Sequence, residues 1–360
     1  MRREKNQYIF ASELTKRSRS HRFRTVVLIF LPLLILSACV MSAAMSGRVR
    51  LEEIRLTVLN LPDDLEGFSI LHLSDLHGAR FGKNQKGIDN ALDTVRYSCV
   101  VMTGDMLGDG RDVEPLLELI ELMPHDVPKY LIPGDTDGPV IDANAHSSLS
   151  VYPEWVERVK EAGVEVLEMP ALITRGKGRI WFVPEDLYAR DLDGMQKTYQ
   201  KQLDSLNSRK TSLSADDAAH IRALEYELQR IESLRAVRKE FQPTDIQVVL
   251  THTPLSEEYL SDLISWTSKE DLFSLRYASL ILAGHYNGGQ WRIPGVGAVY
   301  VPELGWFPKD EQVTGLSYVE SVPQYISPGL GSDPHYEHQP GRIFNSPVVT
   351  KIVLTRKATK

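Results

Sequence analysis

The chain has 360 residues, 42% of them hydrophobic, a formal net charge of −7 and only two cysteines. That is enough apolar material to bury one large core or two ordinary ones. The acidic balance excludes a general nucleic-acid binder, whose phosphate contacts need a basic surface, and two cysteines exclude a disulfide framework.

The N-terminus differs from the rest. Residues 1–24 carry eight Lys or Arg residues against Glu4 and Glu13, and residues 25–45 carry no charge at all. About 20 apolar residues cross a bilayer, so residues 25–45 are expected to form a single membrane-spanning helix. The basic flank then stays cytoplasmic and residues 46–360 lie outside the cytoplasmic membrane. "LSAC" at 36–39 offers a second reading, a lipoprotein cleavage site with a lipid on Cys39. The basic segment is long for a signal peptide and the apolar run continues past Cys39, which favours the uncleaved anchor.

Beyond a short tether, "LEEIRLTVLNL" (51–61) alternates as a strand does, and "FSILHLSDLHG" (68–78) is a second strand that ends in polar residues. "SCVVMTGD" (98–105) and "KYLIPGDTDG" (129–138) repeat that design, preceded by helical stretches at 86–97 and 113–123. Cys99 sits within the apolar run and reads as a buried, inert thiol. "VEVLEMPALITRGKGRIWFVP" (164–184) reads as strands around a turn at Gly176–Gly178. Residues 188–241 interrupt the pattern with Lys, Arg, Glu, Gln and Leu, and predict two antiparallel helices joined near 209–214. Their apolar stripes (Met195, Tyr199, Leu203, Leu206; Ile221, Leu224, Leu228, Ile231) are expected to zip the hairpin together or dock it on the domain, and the sequence names no partner for the hairpin. "IQVVLTHTP" (246–254), "SLILAGHYNGG" (279–289) and "PVVTKIVLT" (347–355) complete the set of strands. Strands alternating with helical segments predict an α/β sheet protein.

Five of these strands end in groups able to bind a metal: Asp75 with His77, Asp105, Asp135, His252, and His285 with Asn287. Burying so many carboxylates and imidazoles is costly unless a cation offsets the cost. Mixed oxygen and nitrogen donors suit Mn, Fe or Zn. A carboxylate shared by two such ions is the arrangement used for in-line phosphoryl displacement. The chemistry expected is metal-assisted hydrolysis of a phosphate ester.

"SDLHG", "TGD", "PGDTDG", "LTHTP" and "AGHYNGGQ", in this order, resemble the motif blocks of the calcineurin-like metallophosphoesterases over roughly residues 51–355. "GVGAVYVPELGWFP" and "YISPGLG" are similar to the membrane-associated bacterial branch that includes UDP-2,3-diacylglucosamine hydrolase-like enzymes. The resemblance implies a sandwich of two sheets flanked by helices, with two divalent metal ions at the strand ends. It implies Asp75 and His77 as ligands of the first ion, Asp105 as the bridge, and His252 and His285 as ligands of the second. Asp135 stands where the family has an asparagine ligand, Asn287 where it has a histidine, and Thr136 where it has the histidine that helps the leaving group depart. Asp137, next in sequence, and His146 are candidate substitutes for that acid, although His146 reads better as a solvated surface residue; His335 and His338 lie in a further loop that can approach the site but reads better as solvent-facing. The activity implied is hydrolysis of a phosphodiester or pyrophosphate linkage by a metal-bound hydroxide, on a lipid-linked or nucleotide-sugar substrate at a membrane. The altered positions leave a second reading open, a weakly active or inactive relative that serves as a binding or scaffold module.

Overall fold

The computed structural model describes residues 7–141, 151–208, 214–333 and 341–356. His146, His335 and His338 lie outside these residues.

Two six-stranded sheets pack face to face. The first contains β1 (Arg50–Thr57), β2 (Ser69–Leu73), β3 (Cys99–Thr103), β4 (Lys129–Ile132) and β5 (Glu165–Val166), with the last strand of the chain, Val348–Thr355, inserted between β1 and β2. The second contains β6 (Ala171–Arg175), β7 (Gly178–Pro184), β8 (Ile246–Leu250) and β9 (Ala278–Ala283). Two short ribbons follow, β10 (Arg292–Ile293) with β11 (Gly297–Ala298) and β12 (Tyr300–Val301) with β13 (Gly305–Trp306). Then β14 (Gly315–Val319) and β15 (Val322–Ile326) complete the second sheet in the order β14-β15-β9-β8-β7-β6, and β16 (Val348–Thr355) returns to the first.

The period-two alternation of the strands explains the layers. In β2, Ile70 faces the space between the sheets while Leu71 and Leu73 face outward, and β3 divides Val101 from Val100 and Met102 in the same way. Phe182, Val248 and Leu280 of the second sheet meet Ile70, Val101 and Ile352 across the middle. Both faces of both sheets are buried, which is why the central strands are almost wholly apolar. The outer face of the first sheet is covered by α2 (Lys86–Leu92), α3 (Glu114–Ile120) and α4 (Glu154–Glu161) through Ile88, Leu116 and Trp155. Helix α2 stops short of the 86–97 expected, because the backbone leaves helical geometry at Asp93 (φ −52°, ψ 127°) before turning left-handed at Thr94.

The outer face of the second sheet carries α5 (Leu192–Asn207), α6 (Ala215–Arg238) and α7 (Glu257–Trp266). Ser214 caps α6 by accepting from the Asp217 amide at its hydroxyl, and the Asp217 carboxylate accepts in return from the Ser214 amide. Antiparallel pairing of α5 and α6 follows from Gln196, whose side chain lies 3.1 Å from Glu232 and 2.8 Å from Arg235 at the far end of the partner helix. Met195, Tyr199 and Ile231 of the expected stripes join Leu192 and Leu234 in the cluster around Trp181 and Val249, and these residues dock the hairpin on the domain.

Helix α1 (Gln7–Ser46) precedes the sheets, and its segment Val27–Ser46 is apolar and long enough to cross a membrane. That property is shared by signal sequences. Its end meets the domain through Ser42 Oγ, which accepts from the Phe344 amide at 3.0 Å, and Ser46 Oγ, which donates to the Arg342 carbonyl at 2.7 Å.

Candidate metal centre

Strands β2, β3 and β4 run parallel, as do β7, β8, β9 and β15, so their carboxyl ends emerge at one edge of each sheet. Those ends carry Asp75 and His77, Asp105, Asp135, His252, and His285 and Asn287. The loops are laced together: the Asp75 amide donates to Gly104 O, the His77 amide to Asp105 O and the Gly284 amide to His252 O, each at 2.9 Å.

Close approach of these loops requires glycine. A Cβ on Gly134 would stand 2.3 Å from the Asp105 amide nitrogen, and one on Gly284 would stand 2.7 Å from Asp75 Oδ2. The turns are also strained. Asp75, His77, Asp105, His285 and Asn287 all have positive φ, between 46° and 76°. Asp, Asn and His tolerate left-handed backbone better than other side chains, but each such residue still costs on the order of 1 kcal/mol. Five of them at one place, held by the sheets behind, mark a functional edge.

Asp105 is the centre of the arrangement. Its Oδ1 accepts from the Thr136 amide at 2.8 Å and from Thr136 Oγ1 at 2.9 Å. Its Oδ2 lies 3.1 Å from His252 Nε2 and 3.8 Å from His77 Nε2. Burial works against the Asp105 anion, yet the hydrogen bond and charge of His252, with the bond from the Thr136 amide, hold its pKa below the ordinary carboxylate value. His252 answers in kind. Burial lowers it, but Asp105 and the charge of Asp75 outweigh burial and raise its pKa to about 9. The Nδ1 of His252 lies 2.8 Å from Thr103 O, which assigns the proton to that nitrogen and leaves Nε2 facing the cluster. His285 Nδ1 lies 3.2 Å from His252 Nε2 and 3.3 Å from Asp135 Oδ2, while the Asp135 side chain is 68% exposed at the mouth.

On the other side of Asp105, Asp75 is fully buried. Its Oδ1 accepts from the His285 amide at 2.9 Å, and burial raises its pKa. Asp75 Oδ2, Asn287 Oδ1 and His77 Nδ1 are buried side-chain atoms with no hydrogen-bond partner. Asn287 Nδ2 lies 3.3 Å from His77 Nε2. Two groups of donors are thus close enough to hold a cation each: Asp75, His77 and Asp105, and Asp105, His252 and His285. The chemistry of the set fits divalent metals, because it is made of carboxylate and imidazole donors and leaves two buried acceptor oxygens unpaired.

Asp137 does not take the place expected of a proton donor. It is fully buried and turned away into the backbone, where Oδ1 accepts from the Met106 and Leu107 amides, both at 2.8 Å, and Oδ2 from the Gly134 amide at 2.9 Å. A carboxylate accepting from three amides braces the loops after β3 and β4 against one another. The Thr136 hydroxyl is likewise engaged in holding Asp105.

Three contributors to the site were not among the residues assigned to it from the sequence. Glu303 Oε1 lies 3.5 Å from His285 Nε2. The Thr103 carbonyl, a backbone group with no sequence signal, orients His252. The turn after β15 closes over Asp75, with the Gly331 amide donating to Asp75 O at 2.6 Å and Gly329 at φ 72°. Its glycines were the available signal.

Among solved structures, the phosphopantetheinyl hydrolase PptH of Mycobacterium tuberculosis is 14% identical, the match covering 73% of this chain and 89% of that one with a TM-score of 0.32. The sulfate thiohydrolase SoxB of Thermus thermophilus, solved with glycerol, is 12% identical over 82% of this chain and 58% of its own, also with a TM-score of 0.32. No curated protein matches this chain. The family model of the calcineurin-like phosphoesterases matches residues 68–287, more than half of the sequence and every one of the strand ends that carry the Asp/His cluster. The chain belongs to the calcineurin-like phosphoesterase family.

Proposed function

We propose that this protein is a membrane-anchored, metal-dependent phosphoesterase that cleaves a phosphodiester or pyrophosphate linkage of a lipid-linked or nucleotide-sugar substrate. The observation that carries the reading is the sharing of one carboxylate, that of Asp105, by two adjacent Asp/His groups. In this reading Asp75, His77 and Asn287 would hold one divalent ion and His252, His285 and Asp135 the other, with Asp105 shared between the two groups. Two such ions, when bound, acidify water and stabilise charge on the phosphoryl oxygens.

The chain's own residues set the geometry. Thr136 fixes the rotamer of Asp105 with two donors on one oxygen, which turns the other oxygen to the cluster. Thr103 fixes the tautomer of His252. The His285 amide positions Asp75 so that its unpaired oxygen stays available. Because the Thr136 hydroxyl and Asp137 are both engaged, neither is placed to protonate a leaving group. Leaving groups that depart without a proton suit such a site, and a phosphate, with a second pKa of about 6, is one. This supports a preference for pyrophosphate linkages over alkyl esters.

Apolar helix α1 supplies the anchor, with the basic N-terminal segment on the cytoplasmic side and the sheets outside. Purified full-length protein loaded with Mn, Fe or Zn should bind two ions per chain. It should hydrolyse bis-p-nitrophenyl phosphate and a nucleotide-sugar pyrophosphate, and lose both activities on chelation. The engaged Thr136 hydroxyl also favours a second reading, a metal-holding scaffold with little turnover. Two bound ions with neither substrate cleaved would establish that reading instead.

A further inference from the structure

The ribbons β10–β13 expose an apolar surface that the domain leaves uncovered. Trp306 is 72% exposed, Val296 63% and Phe307 57%, with Ile293 and Tyr300 beside them. The rings form a chain, Tyr300 to Trp306 at 5.0 Å and Trp306 to Phe307 at 6.3 Å between centroids. Phe307 keeps its outward position although its φ is 50°, a conformation costly for a bulky side chain. Exposed apolar patches of this kind mark contact surfaces, and Trp and Tyr in particular suit the boundary between lipid and water.

The position of the patch says what it contacts. Ser42 and Ser46, in the last turns of the apolar helix α1, hydrogen-bond to Phe344 and Arg342. Residue 343 in turn pairs with the root of the ribbons: Trp291 bridges Ile343, the Arg292 amide donates to Ile343 O at 3.0 Å, and Trp291 Nε1 donates to Gly341 O at 3.0 Å. Pairing continues outward, from Val299 N to Trp291 O and from Phe307 N to Val299 O, each at 2.9 Å. Each step of pairing adds about 4.8 Å, so a sheet-like wall extends roughly 15 Å sideways from the point where α1 ends. The 20 residues of Val27–Ser46 span about 30 Å, a full hydrocarbon core, so that point lies at the membrane surface if α1 crosses it. The turn between β12 and β13 carries Glu303, which touches His285 of the metal cluster.

We infer that the aromatic ribbon, residues 291–307, is a second membrane contact, whose exposed side chains rest in the lipid–water interface beside α1. It holds the metal cluster at the bilayer surface, where a lipid-linked phosphate presents itself, instead of letting the domain swing on its tether. The inference rests on the reading of α1 as a membrane span.

The test uses the full chain with Cys39→Ala, in which the remaining Cys99 is buried and unlabelled. Spin labels are attached through Trp306→Cys, Val296→Cys and, as a control, Tyr318→Cys, all exposed positions. Tyr318 lies near Asn60 and Tyr277 at the opposite edge of the sheets, beside the amino ends of β8 and β9. The protein is reconstituted into phosphatidylethanolamine/phosphatidylglycerol vesicles, floated, and probed by collision with oxygen and with a water-soluble nickel chelate. Labels at 296 and 306 are expected to be several-fold more accessible to oxygen relative to nickel than the label at 318. If the chain floats but all three labels behave as water-exposed, the ribbon contact is wrong and the anchor stands. If the chain does not float, the anchor and the ribbon contact fall together. Dipolar broadening between labels at 306 on neighbouring chains, without lipid accessibility, would show that a second copy covers the patch and overturn the inference.

Discussion

Asp105→Asn probes the proposed bridge most directly, because the surroundings dictate how the amide must sit. The Thr136 amide and hydroxyl both donate to Oδ1, so the oxygen of an asparagine has to stay there and accept from them. The amide nitrogen is then forced onto the side facing His252 Nε2 at 3.1 Å and His77 Nε2 at 3.8 Å. An NH2 group presents hydrogens and no lone pair to a cation, and the negative charge is gone. Removing one unit charge about 4 Å from one unit of cation charge, at an effective dielectric of about 20, costs about 4 kcal/mol, close to a thousandfold in affinity. The fold should survive, since both Thr136 bonds survive. Elemental analysis of the variant should therefore show one metal ion per chain or fewer at concentrations that saturate the wild type, and turnover of bis-p-nitrophenyl phosphate should fall at least a hundredfold. A variant that keeps two ions and wild-type turnover would refute the bridge and the dinuclear reading.

Asp137→Asn separates a brace from an acid. It leaves at least one of three buried amides facing an NH2 group, so thermal stability should drop by about 2–3 kcal/mol. An acid would instead lose activity at unchanged melting temperature. Gly284→Ala places a methyl 2.7 Å from Asp75 Oδ2 and should lower metal content while circular dichroism of the sheets stays the same. The metal-free protein should show an opposite pH trend to the loaded one. The His252 pKa of about 9 lies above its unfolded value of 6.5, so its contribution is complete below pH 6.5 and lost as pH rises through 9. The melting temperature of chelated protein should fall across that interval. With metal present the trend should reverse, because ligation requires neutral imidazole. A falling trend in both would show that no ion binds His252.

Much of the fold was legible because it depends on local pattern. Strand and helix periods are properties of neighbouring residues, and so "FSILHLSDLHG" and "SLILAGHYNGG" show both the strand and the polar end that follows it. The capped, stripe-bearing segment after Ser214 announces a helix in the same way. Residue type alone also marked the Asp and His groups that the two sheets gather at one edge. Three things were decided only by the tertiary structure. Which way the Asp137 carboxylate turns is one, and the structure points it at three amides from two loops. Partners such as the Thr103 carbonyl for His252 and Glu303 for His285 come from distant segments, and a backbone carbonyl has no letter in the sequence. The exposure of the aromatic residues of 291–307 has no signal in a linear reading, since burial is a property of what packs on top. Only the pairing of residue 343 with Trp291 and Arg292 carries them beside the end of the apolar helix, about 250 residues away along the chain.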